Sequence, residues 1–174
     1  RTHSQLSDAE LADFLAGLSA VSRPVICDRF RGSEAVEWKP DASPVTRADK
    51  AAETALRAAI EARFPDDAIL GEEHAARPGS GKTGYSWVID PIDGTRAFVC
   101  GRPVFGTLVG LVDGTTPVAG LIDMPMLDEC YVGVGGKTVL NGAAATTSQV
   151  TSLARARIAS TAPEALLPDS LAAF

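Results

Sequence analysis

The segment Trp87-Val-Ile-Asp-Pro-Ile-Asp-Gly-Thr95 sets two carboxylates, Asp90 and Asp93, on either side of a proline and just ahead of a glycine. Carboxylate oxygens at such a spacing can converge on a hard divalent cation. Pro91 has no N–H and ends a strand at Asp90. Gly94-Thr95 then opens a helix whose first N–H groups can meet a phosphate oxygen. Acidic residues beside that helix end repel a phosphate unless a cation such as Mg²⁺ lies between them. Two other acidic segments, Gly71-Glu-Glu73 and Lys39 to Asp49, can join the same site. Each carboxylate also has a plainer role. Asp90 and Asp93 suit an Asp-Gly turn, and Glu72 and Glu73 suit a solvated loop. Asp49 fits a capping box, Thr46-Arg-Ala-Asp49, and that role is compatible with a chemical one.

The elements that must position these groups are readable from periodicity. Ser7-Asp-Ala-Glu10 is a capping box, followed at helical spacing by Leu11, Phe14, Leu15, Leu18 and Val21. Pro24 is expected to kink or end that helix, and residues 31–43 read as a polar stretch with turn residues. A second helix starts near Thr46, buries Ala52, Leu56, Ala59, Ile60 and Phe64, and stops before Pro65. Strand-length apolar runs follow at Ser86–Ile89, Phe105–Val112, Pro117–Ile122 and Cys130–Val134, with Asp113-Gly114 as a hairpin turn. Helices first and a strand meander after them predict an α+β fold with an antiparallel sheet. Ala162 to Phe174 starts another apolar helical pattern, with Leu166, Leu167, Leu171 and Phe174, that reads as a chain cut short.

The 174 residues suit one domain, read here as a single metal-binding part over 1–174. Sixteen basic against twenty-two acidic residues give a net charge of −6, which argues against nucleic-acid or anionic-membrane partners. Cys27, Cys100 and Cys130 show no pairing pattern, which points to reduced thiols and a cytoplasmic setting. Gly79-Ser-Gly-Lys-Thr83 lacks the first glycine of a phosphate-binding loop, since position 76 is Ala, and reads as a flexible loop. Only His3 and His74 could serve as a base for a Ser or Cys nucleophile, and neither sits in a suitable pattern.

Taken together and in this order, Ser43-Pro-Val-Thr-x-Ala-Asp49, Gly71-Glu-Glu73 and Asp90-Pro-Ile-Asp-Gly-Thr95 resemble the inositol monophosphatase family of Mg²⁺-dependent, lithium-sensitive phosphatases. The resemblance runs from about Lys39 to Gly142. It implies a layered α/β sandwich, with the N-terminal helix pair packed on a large, mainly antiparallel sheet. It further implies Glu72, Asp90, the Ile92 carbonyl and Asp93 as ligands of two or three Mg²⁺ ions. Asp49 and Thr95 would activate the attacking water, and Asp93, Gly94 and Thr95 would meet the substrate phosphate. The reaction implied is metal-assisted in-line displacement on a small phosphorylated substrate. Asp90 and Asp93 are separated by two residues with Pro91 between them, which disfavours the Asp-x-Asp nucleophile of haloacid-dehalogenase-type phosphatases.

The family's later Trp-Asp motif has no counterpart, since Trp38 and Trp87 are the only tryptophans, so its C-terminal layer is expected to be missing from this chain. Gly101-Arg-Pro-Val-Phe-Gly-Thr-Leu108, Gly120-Leu-Ile-Asp-Met-Pro125 and Lys39-x-Asp-x-Ser-Pro-Val-Thr46 resemble the histidinol-phosphate phosphatase branch. Inositol-1-monophosphatase is the runner-up, ahead of a nucleotide 3′-phosphatase, a fructose bisphosphatase or a non-catalytic relative. Family members are commonly homodimers, which sets the same expectation here.

Overall fold

A computed structural model describes residues 6–32, 35–40, 44–157 and 159. The apolar pattern at 162–174, and Ser43 within its motif, lie outside the described residues. Helix α1, Asp8–Cys27, begins at the expected capping box, with Ser7 and Glu10 exchanging hydrogen bonds. It runs through Pro24, which therefore does not end it, and stops three residues later. Proline removes only the N–H that would reach the Ala20 carbonyl, and Ala20 and Pro24 both lie on the exposed side, where water can take that carbonyl. A small ribbon of β1, Val36–Trp38, and β2, Pro44–Thr46, leads into α2, Arg47–Arg63. Its first strand, β1, falls in the stretch expected to be turns.

One seven-stranded sheet holds the rest: β3 Ala68–Gly71, β4 Tyr85–Asp93, β5 Gly106–Asp113, β6 Thr116–Met124, β7 Glu129–Val134, β8 Lys137–Leu140 and β9 Ala143–Ala144, in that spatial order. β3 and β4 are parallel and every other neighbouring pair is antiparallel. The hairpin at Asp113-Gly114 forms as expected, Asp113 pairing with Thr116. The α+β arrangement with a mainly antiparallel sheet is therefore the observed one.

Both helices cover one face of this sheet. Leu15 and Leu18 of α1 and Leu56, Ile60 and Phe64 of α2 pack on Ile69, Trp87, Ile89, Val109, Leu111, Leu121 and Val132. At the centre Trp87 is fully buried, and its indole N–H donates to Asp67 Oδ2 at 2.9 Å. Phe14 and Phe64 flank it, with ring centroids 5.7 and 5.4 Å away. Arg23 ties α1 to the far strands by donating to the fully buried Asp123 and to Asp128. The opposite face carries small and partly exposed residues. Gly110, Gly120 and Gly133 pair directly across three strands there, flanked by Ile122, which is 51% exposed.

Candidate active site

Three elements converge at the end of β4. A second apolar cluster, Ile26, Ala48, Ala52, Ile92, Phe98 and Phe105, forms their floor. β4 does not stop at Asp90, as the sequence suggested, but continues to Asp93 through a shift in register against β5. Pro91 sits within that irregularity, where its missing N–H costs no ladder bond. Its carbonyl accepts from the buried Thr107 hydroxyl at 2.9 Å. Burial of the Ile92 side chain fixes the Ile92 carbonyl, which lies 3.1 Å from Thr95 Oγ1.

Gly94 then turns the chain into α3, Thr95–Val99, with φ of 91°. Only glycine adopts that conformation at little cost, and a Cβ here would also press on the Val104 carbonyl at 3.3 Å. The expected helix at Gly94-Thr95 is present and is five residues long.

Asp49 shows the two roles together. Its Oδ2 accepts from the Thr46 N–H at 2.8 Å and the Thr46 hydroxyl at 2.6 Å, which completes the capping box of α2. Its Oδ1 faces Thr95, whose Oγ1 is 3.3 Å away. The single Thr95 proton serves either Asp49 or Ile92 at a given moment. Burial pushes the Asp49 carboxyl above its usual range, against the pull of the Thr46 hydrogen bonds. Thr46→Ala is expected to lower stability by about 1 kcal/mol, because it removes the N-cap. Urea midpoints check this, with Thr46→Ser keeping most of the stability that Thr46→Ala loses.

Across from this pair, Asp90 has a buried oxygen, Oδ1, without a hydrogen-bond partner. Burial first, then the adjacent charges of Glu72 and Asp93, push its carboxyl up to about 7. Glu72 itself is held by Lys39, whose Nζ lies 2.6 Å from Glu72 Oε1 and 2.8 Å from Glu73 Oε1. The solvated-loop reading suits Glu72, 44% exposed, but fails for Glu73, whose side chain is 3% exposed. Asp93 is exposed.

Among the described residues, no three His, Cys, Asp or Glu side chains gather closely enough to make a ready metal site. What the fold does bring together is Asp90 beside Glu72, with Asp93 near enough to act on Asp90 electrostatically. An orphaned carboxylate oxygen beside two further carboxylates suits a hard cation such as Mg²⁺.

Sequence reasoning missed Glu53 and gave Lys39 no role. Glu53 was detectable, since it is a carboxylate on the buried face shared by Asp49, Ala52, Leu56 and Ile60. The Lys39 contact spans more than thirty residues, and no local pattern signals it.

The family model described as "Inositol monophosphatase family" matches residues 7–166. The chain belongs to the inositol monophosphatase family. It is 41% identical to the bifunctional phosphatase IMPL2 of Arabidopsis thaliana, over 98% of this chain and 51% of that protein. It is 39% identical to a histidinol-phosphatase of Chlorobaculum parvum, over 79% of this chain and 52% of that protein. Among solved structures, an IMPase of Thermotoga maritima superposes with a TM-score of 0.76 at 29% identity, covering 83% of this chain and 56% of that one. The chain thus spans about half the length of the relatives it matches. Among the described residues no helix is long and apolar enough to cross a membrane.

Proposed function

We propose that this protein hydrolyses a small phosphomonoester, with Mg²⁺ held at Glu72, Asp90, the Ile92 carbonyl and Asp93, and that L-histidinol phosphate is its substrate. The observation that carries the reading is the division of labour at Asp49: one oxygen caps α2 while the other faces the Thr95 hydroxyl. When Thr95 donates its proton to Asp49, its oxygen is left to accept a hydrogen bond from a water molecule and so orient it. The water oxygen forms a bond to phosphorus, the ester P–O bond breaks in line with it, and the departing alcohol oxygen ends protonated. Asp49, whose Oδ1 faces the Thr95 hydroxyl, takes the proton that leaves the water in this reading. The Gly94 and Thr95 N–H groups, at a helix start with no intrahelical acceptor, are suited to meet a phosphoryl oxygen. Magnesium at this site supplies Lewis acidity toward the phosphoryl group and toward water.

The substrate choice rests on relatives of about the same identity over similar spans. Besides the histidinol-phosphatase of Chlorobaculum parvum, one from Streptomyces coelicolor is 37% identical. An inositol monophosphatase of Zymomonas mobilis, 38% identical in a solved structure, keeps inositol 1-phosphate as the second reading. Phosphate release from each compound, with Mg²⁺ and then with EDTA, decides between them. Turnover of histidinol phosphate that EDTA abolishes is the expected result. Preference for inositol phosphate overturns the substrate, turnover that persists in EDTA overturns the role of Mg²⁺, and absent turnover overturns the enzyme. The homodimer carried by the same reading is checked by sedimentation velocity.

A further inference from the structure

Glu53 is fully buried on α2, in a stripe it shares with Ala48, Asp49, Ala52, Leu56 and Ile60. Burying a carboxylate carries a desolvation cost that only well-placed partners offset, so its partners show what it is there to hold. Its contacts all point to one loop. Glu53 Oε2 accepts from the Glu73 N–H at 2.7 Å, and Oε1 accepts from Arg57 Nε at 2.7 Å. Arg57 in turn donates to the His74 carbonyl at 3.2 Å, and His74 Nε2 lies 3.1 Å from both Thr54 Oγ1 and the Lys50 carbonyl. A Cβ on Gly71 would overlap the Glu53 carboxylate. The loop is thus held against α2 at positions 71, 73 and 74. Glu72 lies in the middle, its own N–H donating to the Ile89 carbonyl at 3.2 Å, one residue before Asp90.

We propose that Glu53 is the positioning residue for the cation site, aiming Glu72 at Asp90, and that Gly71 is side-chain-free to admit it. The inference rests on the reading of Glu72 and Asp90 as cation ligands. Glu53 touches neither substrate nor cation. It fixes the backbone on which Glu72 is mounted, as supporting residues do at metal sites generally.

Mn²⁺ binding by isothermal titration calorimetry, on the full chain, tests the inference with Glu53→Met, Gly71→Ala and Asp90→Asn beside the parent. Thermal melts in EDTA report folding for each. Glu53→Met leaves the Arg57 guanidinium and the Glu73 N–H without their acceptor, so it is expected to melt below the parent, and to bind Mn²⁺ roughly tenfold to a hundredfold more weakly. Gly71→Ala, which displaces the Glu53 carboxylate without removing it, is expected to weaken Mn²⁺ binding by a similar factor. In a Glu53→Ala background, Gly71→Ala should cost no further affinity, because the overlap is gone. A Glu53 that merely fills the core predicts parental affinity in Glu53→Met, whatever its melting temperature. If Asp90→Asn loses Mn²⁺ while Glu53→Met and Gly71→Ala bind it like the parent, the positioning role is wrong and the cation site stands. If the parent takes up no Mn²⁺, or Asp90→Asn binds it unchanged, the cation reading falls and this inference with it. Should either variant fail to fold, the other decides.

Discussion

Asp90→Asn is expected to lower phosphate release about a thousandfold while raising the melting temperature of the protein in EDTA at pH 8. The first effect follows from the proposed role of Asp90 as a Mg²⁺ ligand, since removing a ligand charge from a catalytic cation site forfeits several kcal/mol of transition-state stabilisation. The second follows from the environment. Asp90 is pushed up to about 7 by burial and by Glu72 and Asp93, and one of its oxygens has no partner. A carboxyl whose folded pKa stands above its unfolded value binds its proton more tightly when folded. Its contribution therefore favours folding at acid pH, declines from about pH 4 upward and is fully unfavourable above about 7. Asn has no such charge to bury. The gap between variant and parent should be widest at pH 8 and close toward pH 4. Melting curves across that range in EDTA check it, and coincident curves at every pH refute the assignment of Asp90 as a strained charge. Opposite signs for activity and stability in one substitution mark a group kept for its chemistry.

Trp87→Ala is expected to destabilise the protein by about 3–5 kcal/mol, a large share of the roughly 5–15 kcal/mol that holds a domain together. Trp87 is fully buried at the meeting point of α1, α2 and β4, against Phe14 and Phe64. Its removal opens a cavity in that core and breaks the 2.9 Å bond to Asp67. Trp87→Phe keeps most of the volume and should cost clearly less. Urea unfolding followed by far-UV circular dichroism measures both. Equal costs for the two variants contradict a cavity-dominated effect. This residue lies in the same segment as Asp90, so the sequence that reads as a site also anchors the sheet.

Local signals carried the sequence reading well. Both capping boxes, Ser7/Glu10 and Thr46/Asp49, form as their spacing dictates, because the hydrogen bonds involved close within one turn. The apolar runs of β4 to β7 were visible because one face of each strand is buried against the helices. The misses share a cause. β1 and β8 are short and largely exposed, so no alternation marks them. The parallel pairing of β3 with β4 is a matter of chain path, which residue type does not encode. The helix survives Pro24 because its break falls on the solvent side, a fact of burial that emerges only in three dimensions. The motifs gave the site's carboxylates, but the clasp of Lys39 on Glu72 and Glu73 and the support from Glu53 depend on where distant loops return.

Asp49 and Glu53 stand four positions apart on the inward face of α2. Along an α-helix four residues advance about 6 Å and complete little more than one turn. The helix therefore acts as a ruler, fixing the spacing between the carboxylate that faces Thr95 and the one that grips the 71–74 loop. Substitutions on its outer side leave that spacing alone. Deleting a single residue between the two would swing one of them by about 100° around the axis. Length variation among natural versions of this chain should accordingly fall in the loops at either end of α2 and leave the interval from Asp49 to Glu53 intact.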